Sequence, residues 1–158
     1  MRNEIWDSML DADMNKRYWS SLARRYSGRD RNSKIFLAIM SSGVVAGWGI
    51  WNHIPFLWKL LSSVSALLAI TLPILNYQKI IVKTSDLAGN WMQIQIDYEE
   101  LWFGFNHTPS ETLLKQYTKI RSREFDASKI EHTLPKDKKL LNLCYDEVLS
   151  SRGIKQLS

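Results

Sequence analysis

The sequence predicts an all-α membrane protein: a two-span transmembrane helical hairpin with an N-terminal helix before it and further helices after it. Residues 35–58 and 60–78 contain no Asp, Glu, Lys or Arg, which predicts the two spans. Elsewhere apolar residues recur every three or four positions, as in amphipathic helices, and no segment alternates like a strand. We therefore divide the chain into 1–34, 35–78 and 79–158.

Length and composition exclude several protein classes. A chain of 158 residues with 45% hydrophobic and 23% charged residues is typical of one folded domain, with at most a small appendage, and not of a disordered protein. The single cysteine, Cys144, rules out an internal disulfide framework. One cysteine with three scattered histidines also gives no reason to expect a tetrahedral zinc site.

The N-terminal segment predicts an amphipathic helix over about residues 3–26, followed by a polar elbow at 27–33. The apolar face of that helix consists of Ile5, Met9, Trp19, Leu22 and Tyr26. Basic residues around the elbow suit anionic headgroups, and nucleic acid is the alternative ligand for such a stretch. Because the stretch adjoins a predicted span, we favour lipid and do not expect direct binding of nucleic acid.

The hairpin is predicted from two apolar runs, roughly 35–54 and 56–77, each of about 20 residues or about 30 Å of helix. A polar turn at 52–55 joins them, and Pro55 opens the second helix. The alternative, a buried helix pair in a soluble bundle, needs more covering helices than the charged remainder supplies. Lys59 lies near the end of its span, where its stem can reach the headgroups, and Pro73 predicts a kink.

Charge predicts the orientation of the hairpin. Residues 16–34 hold seven basic residues and one acid, whereas the turn has no basic residue beyond Lys59. By the positive-inside rule the chain is predicted to be a two-pass membrane protein with both termini in the cytoplasm. The basic residues expected at the membrane surface are Arg24, Arg25, Arg29, Arg31, Lys34, Lys79 and Lys83.

Small and hydroxyl residues mark one face of each span. The first span carries Gly43 and Gly47, a spacing that permits close helix approach in lipid. The second carries Ser62, Ser65 and Ala69. These faces either hold the two spans together or mediate oligomerisation, with hydroxyls lining a contact or a wet path between subunits.

The C-terminal half of the chain predicts a helix that continues unbroken from the second span to about Phe105. Its apolar seam packs either on the N-terminal helix of the same chain, which we favour, or between subunits. Thr108 is expected to cap the next helix, with Pro109 first and Glu111 third, ending near Phe125. A last helix spans about 137–151 and is closed by Gly153. The seam comprises Leu87, Trp91, Ile94, Tyr98, Leu101 and Phe105.

Candidate catalytic chemistry is sparse. Asp97, Glu99 and Glu100 lack the histidine that a di-metal carboxylate site requires three positions on, so we interpret them as a solvated face. Cys144 lies on an apolar helix face and is expected to pack in a core. No phosphate-binding glycine loop is present. We therefore predict a protein that is not an enzyme, with no catalytic residue, metal or cofactor.

The order of parts resembles the SLATT superfamily, two-transmembrane effectors of bacterial conflict systems. The similarity lies in residues 86–91 (DLAGNW), 97–102 (DYEELW) and 146–153 (DEVLSSRG), together with the overall architecture. The resemblance implies a membrane-disrupting effector of CBASS- or retron-type anti-phage defence. Control would come from a partner, such as a nucleotide-signalling enzyme or a retron nucleoprotein, because the chain carries no fused sensor domain.

Three functions follow as hypotheses. The first is an inner-membrane toxin that oligomerises and permeabilises or depolarises the membrane in abortive infection, under the control of a partner. The second is a membrane anchor or scaffold whose helical region docks a cytoplasmic enzyme or nucleoprotein. The third is a small holin-like protein that acts without a partner.

Overall fold

The computed structural model describes residues 1–41 and 55–153, and within these ranges all regular structure is helical. This confirms the all-α prediction for the part of the chain that is described. The predicted turn at 52–54 and most of the predicted first span lie outside it. The five helices are α1 (Arg2–Ser41), α2 (Pro55–Leu75), α3 (Tyr77–Gly104), α4 (Ser110–Glu131) and α5 (Lys138–Ser151).

Helix α1 runs without interruption through the segment where an elbow was predicted, so that prediction is wrong. Polarity alone does not end a helix: of residues 27–33 only Gly28 strongly disfavours one, by about 1 kcal/mol. The Nζ atom of Lys34 lies 2.7 Å from Oδ2 of Asp30, one turn earlier, and this pair supports the helix where the elbow was expected.

The predicted continuous helix through Phe105 is also wrong, because the chain breaks at Asn76. Its φ of 43° is left-handed, and the segments Lys59–Leu75 and Tyr77–Gly104 bend by 44°. Asn tolerates this conformation better than most residues. Pro73, inside α2, lacks the N–H that would bond back to the preceding turn. The Asn76 carbonyl accepts from the Lys79 N–H at 3.0 Å as α3 begins.

The start of α4 differs from the predicted capping box. Pro109 is the N-cap residue and makes no side-chain cap bond, while the Thr108 hydroxyl donates to the Gly104 carbonyl at 3.0 Å. Glu111 pairs with Lys115 instead of reaching back. The helix also continues to Glu131, beyond the predicted end near Phe125.

The last helix and the glycine after it follow their prediction closely. The Asp137 carboxylate caps α5 by accepting from the Leu140 N–H at 3.1 Å. Gly153 follows the helix with a φ of 68°, the left-handed conformation that glycine adopts without strain.

The chain divides into two compact units, which we describe separately. The central unit comprises Arg24–Ile81 and the terminal unit comprises Met1–Ala23 with Val82–Ser158. The terminal unit has its own apolar core from α1, α3, α4 and α5. Its largest fully buried side chains include Ile5, Met9, Trp19, Leu87, Ile94, Tyr98 and Cys144.

Candidate functional site

The outer face of α2 in the central unit is apolar and exposed. Six side chains on this face have between 40% and 76% of their surface accessible. Contiguous apolar patches of this kind mark a surface that meets another protein or a membrane. They are Leu60, Val64, Leu67, Ile70, Ile74 and Leu75.

The opposite face of α2 is half-buried and contains two of the predicted packing residues. Ser62 and Ser65 lie there, whereas Ala69 is exposed at its edge. The Ser65 hydroxyl is shielded from solvent and has no hydrogen-bond partner among the described residues. Gly43 and Gly47 lie outside the described residues.

Within the central unit, α1 and α2 run antiparallel. The Tyr26 and Tyr77 rings lie 5.8 Å apart, and Gln78 Nε2 donates to Asp30 at 2.8 Å. Further along α1, Leu37 shares a groove with Ala69 and Leu72. Contacts therefore move back from the start of α3 into α2 as α1 advances.

Two consecutive helical segments together, and no single helix among the described residues, meet the criteria for a membrane span. Across the two described ranges, no individual helix has both the length and the apolar character needed to cross a bilayer. Lys59–Leu75 and Tyr77–Gly104 meet those criteria only as a bent pair.

Positive charge is concentrated in the central unit. Its sequence carries seven basic residues against one acid, Asp30, for a net charge of +6. The terminal unit carries fourteen basic and fifteen acidic residues, a net charge of −1. Six of the seven predicted surface basic residues lie in the central unit and are exposed: Arg24, Arg25, Arg29, Arg31, Lys34 and Lys79. The seventh, Lys83, is half-buried in the terminal unit.

The residues of the predicted seam pack in the core of the terminal unit. Its first five residues are buried, and Phe105 is half-buried just beyond the end of α3. Near that end Trp102 packs on Trp6 of α1, with ring centroids 5.0 Å apart, and the Arg2 guanidinium lies 4.7 Å over the Trp102 ring. Helices α1 and α3 of one chain therefore contact each other directly.

A buried carboxylate, Asp13, joins three elements of the terminal unit. Its side chain is only 1% exposed, and it contacts Arg17 Nε at 2.9 Å and Lys16 Nζ at 3.1 Å. Arg152, which ends α5, lies 3.5 Å from Asp13 and 3.0 Å from Glu99 of α3. The periodicity of the sequence did not predict this cluster. The available signal was an acid four residues after Met9, on the apolar face of α1.

Ion pairing sets the protonation of this cluster. Burial acts to raise the pKa of Asp13, but hydrogen bonds from Arg17 and Lys16 outweigh it and hold the pKa below its usual value. Burial likewise opposes ionisation of Glu99, and bonds from Arg152 and Gln95 lower its pKa. Both carboxylates are therefore charged at neutral pH.

A second carboxylate, Glu131, accepts hydrogen bonds from two buried indoles. Its Oε1 atom lies 3.1 Å from Trp19 Nε1 and 2.9 Å from Trp91 Nε1. The last residue of α4 is thereby fixed to both α1 and α3. No local sequence pattern indicates this arrangement.

A third group of ionisable side chains lies around the buried Tyr98 hydroxyl. Burial raises the pKa of Tyr98 well above its usual value, and the neighbouring Glu124 carboxylate adds to this effect. Burial also raises the pKa of Glu124, which pairs with Arg121 and lies near Asp11. The pKa of Asp11 is raised by burial and by Asp7.

The substitution Glu124→Gln should stabilise the protein at neutral pH. The raised pKa means that the fold favours the protonated acid, so stability is greatest below the unfolded pKa, near 4.3, and falls as pH rises through the folded pKa. A neutral amide avoids that loss. Thermal unfolding at pH 7 and pH 4 measures the effect: we expect a higher Tm than wild type at pH 7 and a smaller difference at pH 4. If the Tm of the variant relative to that of wild type is lower at pH 7 than at pH 4, the prediction is contradicted.

The acidic residues predicted to form a solvated face have separate surroundings. Asp97 pairs with Arg123, Glu99 joins the Asp13 cluster, and Glu100 lines a cleft of about 390 Å³ between α3 and α4. Cys144 is buried, as its apolar helix face predicts. Within the described residues, no three His, Cys, Asp or Glu side chains form a possible metal site. The chain matches no protein-family model, no curated protein and no solved structure.

Proposed function

We propose that residues 35–78 form a two-span hairpin in a bacterial inner membrane, with both termini in the cytoplasm. The observation that carries this proposal is the exposed apolar face of α2, which has no charge after Lys59. Burying such a face in hydrocarbon is favourable by about 25 cal/mol per Å². The antiparallel packing of α1 and α2 in the central unit supports the same arrangement.

The charge distribution supports the orientation. The central unit combines a net charge of +6 with an apolar helix, which suits a membrane leaflet that contains anionic lipids. Each basic residue near such a surface contributes about 1 kcal/mol to membrane binding. The exposed residues Arg24, Arg29 and Arg31 lie on the part of α1 that precedes the predicted span.

Placing charge on the α2 face tests the membrane location. We expect Leu67→Lys with Ile70→Lys to release the chain from carbonate-washed membranes, because each lysine near a bilayer centre costs about 2.5–3.5 kcal/mol. The matched control is Leu114→Lys, on an exposed apolar position of α4 in the terminal unit. Release of the control to the same extent, or full retention of the double variant, would contradict the proposal.

We further propose that the hairpin oligomerises and permeabilises or depolarises the membrane in anti-phage defence, controlled by a partner protein or nucleoprotein. The support is the resemblance to two-transmembrane effectors together with the Ser65 hydroxyl on the half-buried face of α2, which has no hydrogen-bond partner among the described residues. A second serine or backbone carbonyl from another hairpin would satisfy this hydroxyl.

Membrane potential and dye entry, followed as the chain is switched on in bacteria, test the effector function. We expect depolarisation before growth stops, and we expect Gly43→Leu with Gly47→Leu to abolish it by keeping helices apart, at unchanged membrane abundance. The matched control is Leu60→Ala with Leu67→Ala, on the outer face of α2. Full depolarisation by the double glycine variant would remove these positions from the mechanism.

The anchor function is the second candidate, and the separate core of the terminal unit favours it. Among the described residues, every buried hydrophobic side chain of the core belongs to the terminal unit. An anchor predicts that an unrelated two-span hairpin replaces residues 35–78 without loss of function. Loss of function after that exchange, with partner docking intact, would exclude it.

A further inference from the structure

A groove of about 360 Å³ opens within the central unit, where α1 passes the break between α2 and α3. One end of it is polar and the other apolar. The polar residues are Asp30, Lys34, Asn76, Tyr77 and Gln78, and the apolar residues are Leu37, Ala69, Leu72 and Pro73.

The polar end is organised around Asp30, the one acid in the sequence of the central unit. Its side chain is 13% exposed and accepts from Lys34 Nζ at 2.7 Å and Gln78 Nε2 at 2.8 Å. Both bonds end on Oδ2. A carboxylate accepts at both oxygens, so Oδ1, which takes part in neither of these two bonds, can accept from a ligand in the groove.

Donors for a phosphate lie beside that carboxylate. Lys34 has two further N–H bonds after its contact with Asp30, and the Asn76 and Gln78 amides line the same end. Ala69 contributes only a methyl group to the apolar end, which suits the first carbons of an acyl chain. Along its length the groove thus has a hydrogen-bond acceptor, then several hydrogen-bond donors, and then an apolar wall.

We propose that this groove binds one phospholipid with a primary-ammonium headgroup, of the phosphatidylethanolamine type. The ammonium donates to Asp30 Oδ1, the phosphate accepts from Lys34 and the nearby amides, and the chain lies along Leu37 and Ala69. A quaternary ammonium has no N–H to donate, and a headgroup with no cation forms no second ion pair with Asp30 beside that of Lys34. The inference rests on the proposed membrane location.

Lipid retention tests the inference. The full chain in mild detergent is incubated with equal amounts of phosphatidylethanolamine, phosphatidylcholine and phosphatidylglycerol with the same acyl chains, and retained lipid is quantified by mass spectrometry. We expect phosphatidylethanolamine to be enriched about tenfold over phosphatidylcholine, the value of one charge-assisted hydrogen bond. Asp30→Asn should bring that ratio close to one. Asp86→Asn, at an exposed acid outside the groove, should leave it unchanged.

A second variant keeps the inference testable if Asp30→Asn does not fold. Ala69→Phe fills the apolar end without altering the polar residues and should lower the retention of phosphatidylethanolamine. Equal retention of the three lipids, or preference for phosphatidylglycerol, by the wild-type chain would overturn the inference. Flotation with vesicles of the same mixture separates the two proposals: a chain that does not float contradicts the membrane location, whereas one that floats without the preference contradicts only the groove.

Discussion

Replacing Asp13 by alanine should lower the free energy of unfolding of the terminal unit by about 3 kcal/mol and the Tm by about 8 °C. The carboxylate is 1% exposed and holds Lys16, Arg17 and Arg152, which are about one third exposed. Its removal leaves three cations close together with their shared counter-ion gone. Because these cations retain some water, the expected loss lies at the lower end of that for a broken buried pair.

The loss should extend to contacts between helices. Arg152 lies at the end of α5 and also contacts Glu99 of α3, while Arg17 Nη2 donates to Ser151 Oγ at 3.3 Å. Without Asp13, the contact of Arg152 with Glu99 remains and the contact of Arg17 with Ser151 is weakened. Amide hydrogen exchange should therefore increase first in α5.

Thermal unfolding of the full chain in mild detergent, followed by circular dichroism, measures this effect. The matched control is Asp7→Ala, an exposed acid on the same helix, for which we expect a change within about 0.5 kcal/mol. If Asp13→Ala unfolds at the same temperature as Asp7→Ala, the cluster does not stabilise the bundle.

The effect of Asp13 should depend on pH in a defined direction. Its folded pKa is depressed, so its contribution is complete above the unfolded pKa, near 3.9, and is lost as pH falls through the folded pKa. The isosteric variant Asp13→Asn should therefore be less stable than wild type at pH 7, with the difference narrowing below about pH 4. A constant difference across that range would show that size or hydrogen bonding, and not charge, accounts for the loss.

Periodicity predicted much of the terminal unit because its helices are amphipathic. The steps of the seam from Leu87 to Leu101 reproduce one helix face, and all five of these residues are buried. The predicted glycine after α5, Gly153, is also a local signal. Asp137, which was predicted as the first residue of that helix, is its cap. Such features depend on neighbours within a few residues, which a single sequence contains.

The errors arose where two local preferences competed. Polar residues at 27–33 suggested an elbow, but their backbone preferences are compatible with the helix that continues on both sides. Pro73 suggested a kink in an otherwise continuous helix, whereas the chain breaks three residues later, where Asn76 accommodates a left-handed backbone. Composition identifies a disturbed region more readily than the residue at which the helix ends.

The buried polar contacts could not be predicted because they join residues far apart in the chain. Arg17 and Ser151 are separated by 134 positions, and Trp19 and Glu131 by 112. Helical periodicity assigns a residue to a face but does not say which helix that face meets. The position of Asp13 on the apolar face of α1 indicates that it is buried, but nothing in the sequence identifies the partners of Asp13 or of Glu131.

Replacing Glu131 by alanine should destabilise the terminal unit by about 2–4 kcal/mol, because two buried indole N–H groups lose their acceptor at once. Trp19 is 1% exposed and Trp91 is 5% exposed, so water cannot easily take the place of the carboxylate. Glu131→Gln retains an acceptor oxygen and should lose only about 1 kcal/mol, the difference between a charged and a neutral acceptor.

Chemical unfolding followed by tryptophan fluorescence, together with the indole N–H resonances of Trp19 and Trp91, measures this prediction. We expect both resonances to shift upfield in Glu131→Ala and to move less in Glu131→Gln. Asp126→Ala, an exposed acid on the same helix, controls for the loss of charge from α4. Equal stability of Glu131→Ala and Asp126→Ala would mean that the two tryptophans are held by apolar packing alone, whereas the graded loss expected here would establish the carboxylate as the point that joins α1, α3 and α4.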